Sequence, residues 1–332
     1  PQHPINDALF TRYFTVRYQL YKLTNYMEHT PELEETEVYL QSMDFAHAWM
    51  LGLIPTEEIY RELMGRVNSP TRIKDITSAL DERNHSLFHS LTQKVVNRIL
   101  EIELQRGDSE TQVTRLAEEL HRVYGAETLI RILQAFGKDT FIRDSYNWRN
   151  TKRGVLSSLL HACYPSPDDD SDTLKSLASQ ADISHIRLVE AAMFAPQWLE
   201  LTEKATGWKG LESAAYYFHA HTSECFDDKK KAIIARYTPI AIEDLQEGAF
   251  DIDWFKEAYK AIGKERFEVV YNAAKYISLS NTHTRARKFA DAVNGKTKAA
   301  DAKKEIIAKR NKDLLMSYGL IPLGRKADKE LL

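Results

Sequence analysis

Glycine is scarce in this chain: the 332 residues hold 13, about 4% against a typical usage of about 7%. Phosphate cradles and dinucleotide-binding turns need glycines where the backbone approaches the ligand. The chain contains neither GxGxxG nor GxxxxGK followed by Ser or Thr, which argues against Rossmann and P-loop enzymes. Cysteine is scarcer still. Cys163 and Cys225 make no disulfide framework, and a reduced, cytoplasmic compartment is the natural reading. No run approaches the roughly 18 apolar residues of a membrane span. The opening PQHPINDALF has no basic stretch ahead of an apolar core, so no signal peptide is read there. It also lacks an initiator Met, and the chain is expected to be a fragment or processed form of something longer.

What is present is helical periodicity. Leu9, Tyr13, Val16, Leu20 and Leu23 follow a 4-3-4-3 spacing, one stripe on an α-helix. Leu91, Val95, Ile99 and Ile102 repeat the pattern, as do Val113, Leu116, Leu120 and Val123, and again Phe267, Val270, Ala274 and Ile277. Sustained period-two alternation is missing; the nearest strand candidate, YTPIAI at 237–242, contains a proline. The reading is all-α, an irregular helical bundle or a loose HEAT-like array, with neither the tetratricopeptide nor the ankyrin pattern. YPSPDDDSD, Tyr164 to Asp172, reads as a solvated linker, splitting the chain into a 1–163 helical region and a 173–332 helical domain. A Ca²⁺ loop is the sharper alternative there, but EF-hand spacing is absent.

Reactive side chains are densest in YYFHAHTSEC, where His219, His221 and Cys225 are candidate zinc ligands and HAC adds His161 and Cys163. On a continuous helix, residues two apart point about 200° from each other, so His219 and His221 share a site only if the helix ends between them. Cys225 with His221, or Cys163 with His161, is the nucleophile–base alternative, and nothing in the sequence supplies its orienting group. Satisfied core or helix-end histidines are the plainer reading. Glu34, Glu35 and Glu37, like Asp251 and Asp253, read as caps and first-turn acids. Trp198 and Trp208 read as core between closely packed helices, with base stacking the alternative.

APQW (Ala195–Trp198), GLESAAYYFHAHTSE (Gly210–Glu224) and KRNKDLLMSYGLIPL (Lys309–Leu323) resemble a group of very large, uncharacterised bacterial proteins. These carry a domain of unknown function and are sometimes labelled molybdate metabolism regulator-like. The resemblance covers mainly residues 185–323. It implies a parent chain much longer than 332 residues, and it supplies no catalytic residues to carry over.

The formal net charge is −3, yet residues 285–326 alone carry +8 and residues 1–284 carry −10. Within the basic segment one long helix is expected, with Thr297 as N-cap, Gly319 just past the end and Pro322 beyond. Ala300, Ile307, Leu314 and Tyr318 would form its buried stripe, widened by Ala302 and Ile306, with Arg310 snorkelling from within it. Lys303, Lys304, Lys309 and Lys312 would face outward as a solvated face or as phosphate contacts. Three functional readings follow. The first is a helical scaffold binding a protein partner or the rest of its parent chain; the second is a nucleic-acid-associated module using the 285–326 surface. The third is an enzyme or metal site around His219, His221 and Glu224. No cofactor and no membrane is expected.

Overall fold

The computed structural model describes residues 6–26, 40, 42–55, 58, 93–94, 96–118, 120, 122–143, 151–222, 226–278 and 282–322. Among these, all regular structure is helical apart from two strands of two residues each. The all-α reading holds. The chain forms two compact units, Pro1–His121 and Arg122–Leu332.

In the first unit, α1 (Asp7–Tyr26) packs on α2 (Ser42–Met50) through a row of rings. Phe10, Phe14 and Phe45 are buried, and Phe45 meets Phe14, Tyr18 and Tyr21 edge-on at 5.5–6.0 Å. The helix expected from the Leu9 stripe is present, but the other face is the one that packs. Both faces of DALFTRYFTVRYQLY are apolar, and the bulkier aromatic one wins the core because each ring buries more area and finds ring partners. Farther on, a helical stretch over 96–104 (α3) buries Ile99 and Leu100 and carries Glu103, which is fully enclosed. Arg106 donates to Glu103 at 3.0 Å and to the Thr114 hydroxyl of the short helix α4 (Thr114–Glu118) at 3.2 Å. Thr114 donates to the same carboxylate at 2.9 Å, and so does Thr111. Nothing in the sequence spacing announced this buried ion pair.

The second unit opens on β1 (Val123–Tyr124). After α5 (Ala126–Phe136) and α6 (Lys152–His161), the chain returns as β2 (Cys163–Tyr164), parallel to β1 with Val123 opposite Cys163. The periodic run through Val113 and Leu120 therefore ends as a helix at Glu118, and Val123 belongs to a strand. YTPIAI is a turn and loop leading into the helix that begins at Ile242, not a strand.

The stretch expected as a linker, Tyr164–Asp172, lies inside this unit, whose start at Arg122 differs from the division drawn there from sequence. Its aspartates are employed. Asp169 accepts from the backbone N–H of Ala126 at 2.9 Å, at the start of α5, and from Ser166 at 2.7 Å. Asp170 caps α7 (Ser171–Gln180) by accepting from the Thr173 N–H at 2.7 Å. A run of acids after two prolines thus supplies a pair of helix caps, satisfying orphan N–H groups and the positive ends of two helices. Endoproteinase Asp-N should accordingly leave Asp168–Asp172 uncut in the native protein. Rapid cleavage there, with the far-ultraviolet dichroism still native, would mean that these caps do not form.

The following helices are α8 (His185–Phe194), a 3₁₀ turn Pro196–Trp198, α9 (Leu199–Thr206), α10 (Leu211–Thr222), α11 (Asp228–Ile234), α12 (Ile242–Glu247), α13 (Ile252–Ile262), α14 (Lys264–Ala273), α15 (His283–Val293), α16 (Ala299–Lys309) and α17 (Lys312–Tyr318). The centre is α10, which packs against α9 and α11 through α15. Its sequence, LESAAYYFHAHT, is apolar or neutral almost all round, as an enclosed helix must be. Small residues at Ala214, Ala215 and Ala220 let neighbours approach, and Tyr217 and Phe218 fill the gaps. Gly210 precedes it at φ 84°, where a Cβ would sit 2.6 Å from that of Ala261, so α10 begins hard against the end of α13. Phe267, Val270, Ala274 and Ile277 are all buried, as their spacing predicts.

Candidate functional site

The histidine cluster sits on α10. His219 and His221 are both about 1% exposed, and they face opposite sides of an unbroken helix. His219 lies beside Tyr216, ring centroids 5.7 Å apart. Neither of its ring nitrogens has hydrogen-bond geometry to any other group among the described residues. Burial, then the charges of Lys230 and Arg143, hold its pKa well below the usual histidine value, with the Met193 carbonyl opposing. His221 stacks on Phe250 at 5.6 Å and meets Phe289 edge-on at 6.0 Å. Its Nδ1 lies 3.2 Å from the Leu245 carbonyl, to which a protonated Nδ1 donates. Burial pushes its pKa down to about 3. The two rings share no site. Among the described residues no group of three His, Cys, Asp or Glu side chains could hold a metal ion; Glu224 and Cys225 lie outside the described residues.

The last carbonyls of α10 are taken up by α15 and the turn before it. Thr282 Oγ1 donates to Thr222 O at 3.2 Å, and Arg285 donates to His221 O at 3.0 Å. Tyr217 adds a hydroxyl donated to Ala286 O at 2.7 Å. The conspicuous HAH motif therefore performs internal packing and end-satisfaction.

The HAC pair also comes apart. His161 is exposed at the last turn of α6 beside Phe194, whereas Cys163 is sealed in β2. Burial pushes the Cys163 thiol up to about 12, far from the thiolate a nucleophile needs, and its nearest partner is the Gly125 carbonyl. The Trp198 indole donates to the Cys163 carbonyl at 2.7 Å and is wholly buried, and Trp208 is nearly so. Neither offers a face to a base. Asp251 caps α13, accepting from the N–H of Asp253 and Trp254, as its position implies. Glu34, Glu35 and Glu37 lie outside the described residues.

The stretch from Thr297 to Gly319 is two helices, not one. Arg310 adopts a left-handed conformation (φ 48°, ψ 41°) that ends α16, and Asn311 caps α17 by accepting from the Leu314 N–H at 3.1 Å. The Asn-Lys-Asp-Leu run was the available signal for a second N-terminus. The stripe breaks with the helix. Leu314 and Ser317 are buried, but Ile307 is 71% exposed, and Ala302 is the buried residue of α16. Docking is carried by α17, which packs on α15 and α16 and lays the Met316 tip over Gly248, leaving no room for a side chain there. Lys303, Lys304 and Lys312 are exposed without an ion pair among the described residues, and Lys309 meets Glu305 at 3.4 Å. Leu315, 58% exposed, adds a second apolar side chain on this helix pair. Ile307→Ala should therefore leave the melting free energy within about 0.5 kcal/mol of the parent. Leu314→Ala should cost about 2–5 kcal/mol in urea unfolding. Equal costs at the two positions would contradict the break at Arg310.

The outer row of α1 is exposed: Leu9 is 64% exposed, Tyr13 42%, Val16 60% and Leu20 44%. No helix of the described residues is long and apolar enough to cross a membrane. No curated protein and no solved structure matches the chain. A family model described as "Family of unknown function (DUF5724)" matches residues 1–332, and the chain belongs to that family.

Proposed function

We propose that the chain is a helical scaffold, an interaction module of a larger cytoplasmic bacterial protein. The observation that carries this reading is the outer row of α1, four large exposed residues in line on a helix that packs on α2 through its neighbouring aromatic face. Single exposed leucines are ordinary, but a row in coiled-coil spacing is a seam. The likeness of Ala195–Trp198, Gly210–Glu224 and Lys309–Leu323 to very large bacterial proteins supports the setting. The test is cross-linking with mass spectrometry on the full-length parent protein in its native cells. Cross-links from Lys22, on α1, should reach a protein surface, and Leu9→Ser with Val16→Ser should abolish them while leaving the melting temperature unchanged. Cross-links that persist in that variant would refute the reading.

A second reading is favoured by Lys303, Lys304 and Lys312, which stand exposed without ion pairs among the described residues. These could contact nucleic-acid phosphates, in which case affinity for duplex DNA or RNA would fall steeply with salt and changing the lysines to Gln would flatten the slope. The apolar Ile307 and Leu315 beside them weigh toward a protein surface, since phosphate contacts have no use for exposed isoleucine and leucine.

A further inference from the structure

The joint between α16 and α17 sets a strained residue inside an unbroken sequence pattern. Arg310 stands at φ 48°, ψ 41°, a left-handed conformation in which the Cβ of any residue but glycine crowds the following carbonyl. Lys309, Lys312, Leu314 and Leu315 around it are good helix formers. Ala300, Ile307, Leu314 and Tyr318 keep a 7-7-4 spacing straight through the break. Bent as it is, the chain buries Leu314 and leaves Ile307 exposed. With residues 310 and 311 helical, Ile307 would stand two turns before Leu314 on the same face. The sequence therefore suits a straight helix over 299–318 as well as the bent pair.

What α17 brings to its seat is compact. Leu314 and Ser317 are buried, Asp313 meets Lys288 of α15 at 3.4 Å, and the Met316 tip covers Gly248. Seat and helix are identical in every copy of the chain, so the α17 of a second copy makes the same contacts. Because α16 and α17 pack on one another, straightening the joint with α16 in place carries α17 off the α15 of its own chain.

We infer that two copies of this chain exchange α17: the joint at Arg310–Asn311 straightens, and each α17 seats on the α15 of the other copy. The exchange loses the Asn311 cap, which accepts from the Leu314 N–H at 3.1 Å, and the freedom of two separate molecules. Against these stand three gains. Arg310 leaves its left-handed conformation, and the first N–H groups of α17 bond the last carbonyls of α16. Ile307 turns toward the body that receives Leu314. Contacts at the seat are the same in both states, so these differences set the balance. Short strained hinges between packed elements are where such exchange starts. The inference is separate from the α1 row, since its partner is a second copy of this chain.

The experiment uses the whole 332-residue chain. Unlabelled and nitrogen-15-labelled chains are mixed equally, held together just below the melting temperature, and the dimer is isolated by size exclusion. A carbodiimide then joins Lys288 to Asp313 without a spacer, and about half of those cross-links should pair one isotope with the other. Arg310→Gly, which accepts the left-handed joint, should lower the dimer share about tenfold. Arg310→Ala with Asn311→Ala, which favours the straight helix and removes the cap, should raise it about tenfold. Ile307→Ala should lower the dimer share while leaving the melting temperature of the monomer unchanged, which separates the exchange from a general loss of stability. A chain that stays monomeric with both alanines in place overturns the inference. So do cross-links confined to single isotopes, or a dimer share that Arg310→Gly leaves unmoved.

Discussion

Replacing Glu103 by Met should destabilise the first unit by about 3–5 kcal/mol, among the largest losses any single change in this chain would produce. The carboxylate is fully enclosed, and the Arg106 side chain beside it is 1% exposed. Four polar groups depend on one another there. Arg106 and Thr114 bond to the two carboxylate oxygens, Thr111 joins them, and the Thr111 N–H donates to Thr114 Oγ1 at 2.8 Å. Methionine fills the volume but removes the carboxylate to which Thr111 and the enclosed Arg106 and Thr114 donate, and those hydrogen bonds are not replaced. Glu103→Met combined with Arg106→Met should recover much of the loss, because the enclosed guanidinium leaves with it. Urea unfolding of the two single variants and the double closes the cycle. A loss under about 1 kcal/mol for Glu103→Met would mean that the pair is hydrated.

The second large effect is with pH. His219 and His221 are neutral in the folded protein, and both pKa values lie below the unfolded value of about 6.5, His221 at about 3. The unfolded chain therefore takes up protons that the native state refuses. Stability is complete above about pH 6.5 and is lost as pH falls toward 3. Between pH 7 and 5 His221 should remove about 2 kcal/mol, and His219 adds a loss of the same sign. The charges facing them act in the same direction as burial, Lys230 and Arg143 on His219 and Arg285 on His221, while the Met193 and Leu245 carbonyls oppose it. Calorimetric unfolding in buffers of different ionisation enthalpy counts the protons directly. It should find a net uptake near pH 5, smaller by about one proton in His221→Asn. Unfolding without proton uptake in this window would place both rings in water.

Much of this architecture was legible in the residues. The Phe267–Ile277 stripe gave a buried face, whereas the Leu211–Thr222 run drew the eye by its histidines and only the fold shows it as the central helix. Three features were illegible for identifiable reasons. Two-residue strands leave no alternation to read, and Val123 and Cys163 become partners through a pairing 40 residues long. An aspartate run looks the same whether it is hydrated or capping two helices, since one of the N–H groups it serves, that of Ala126, lies on a distant segment. In α1, two apolar faces compete for one core, and periodicity reports both without ranking them. The site residues divide in the same way. His219 and His221 stood out by chemistry yet serve packing, while the exposed row of α1 stood out only once the core side was known.

The enclosure of α10 has a consequence in time. Its backbone amides reach water only when several of the surrounding helices have let go together, so their hydrogen exchange tracks the opening of the whole unit. The amides of α16, which buries only Ala302, exchange instead through small local openings that leave the centre shut. The second unit thus has a slow-exchanging centre and a fast-exchanging periphery, and the basic helix pair spans both: α17 is tied in by Leu314, and α16 is free to breathe beside it.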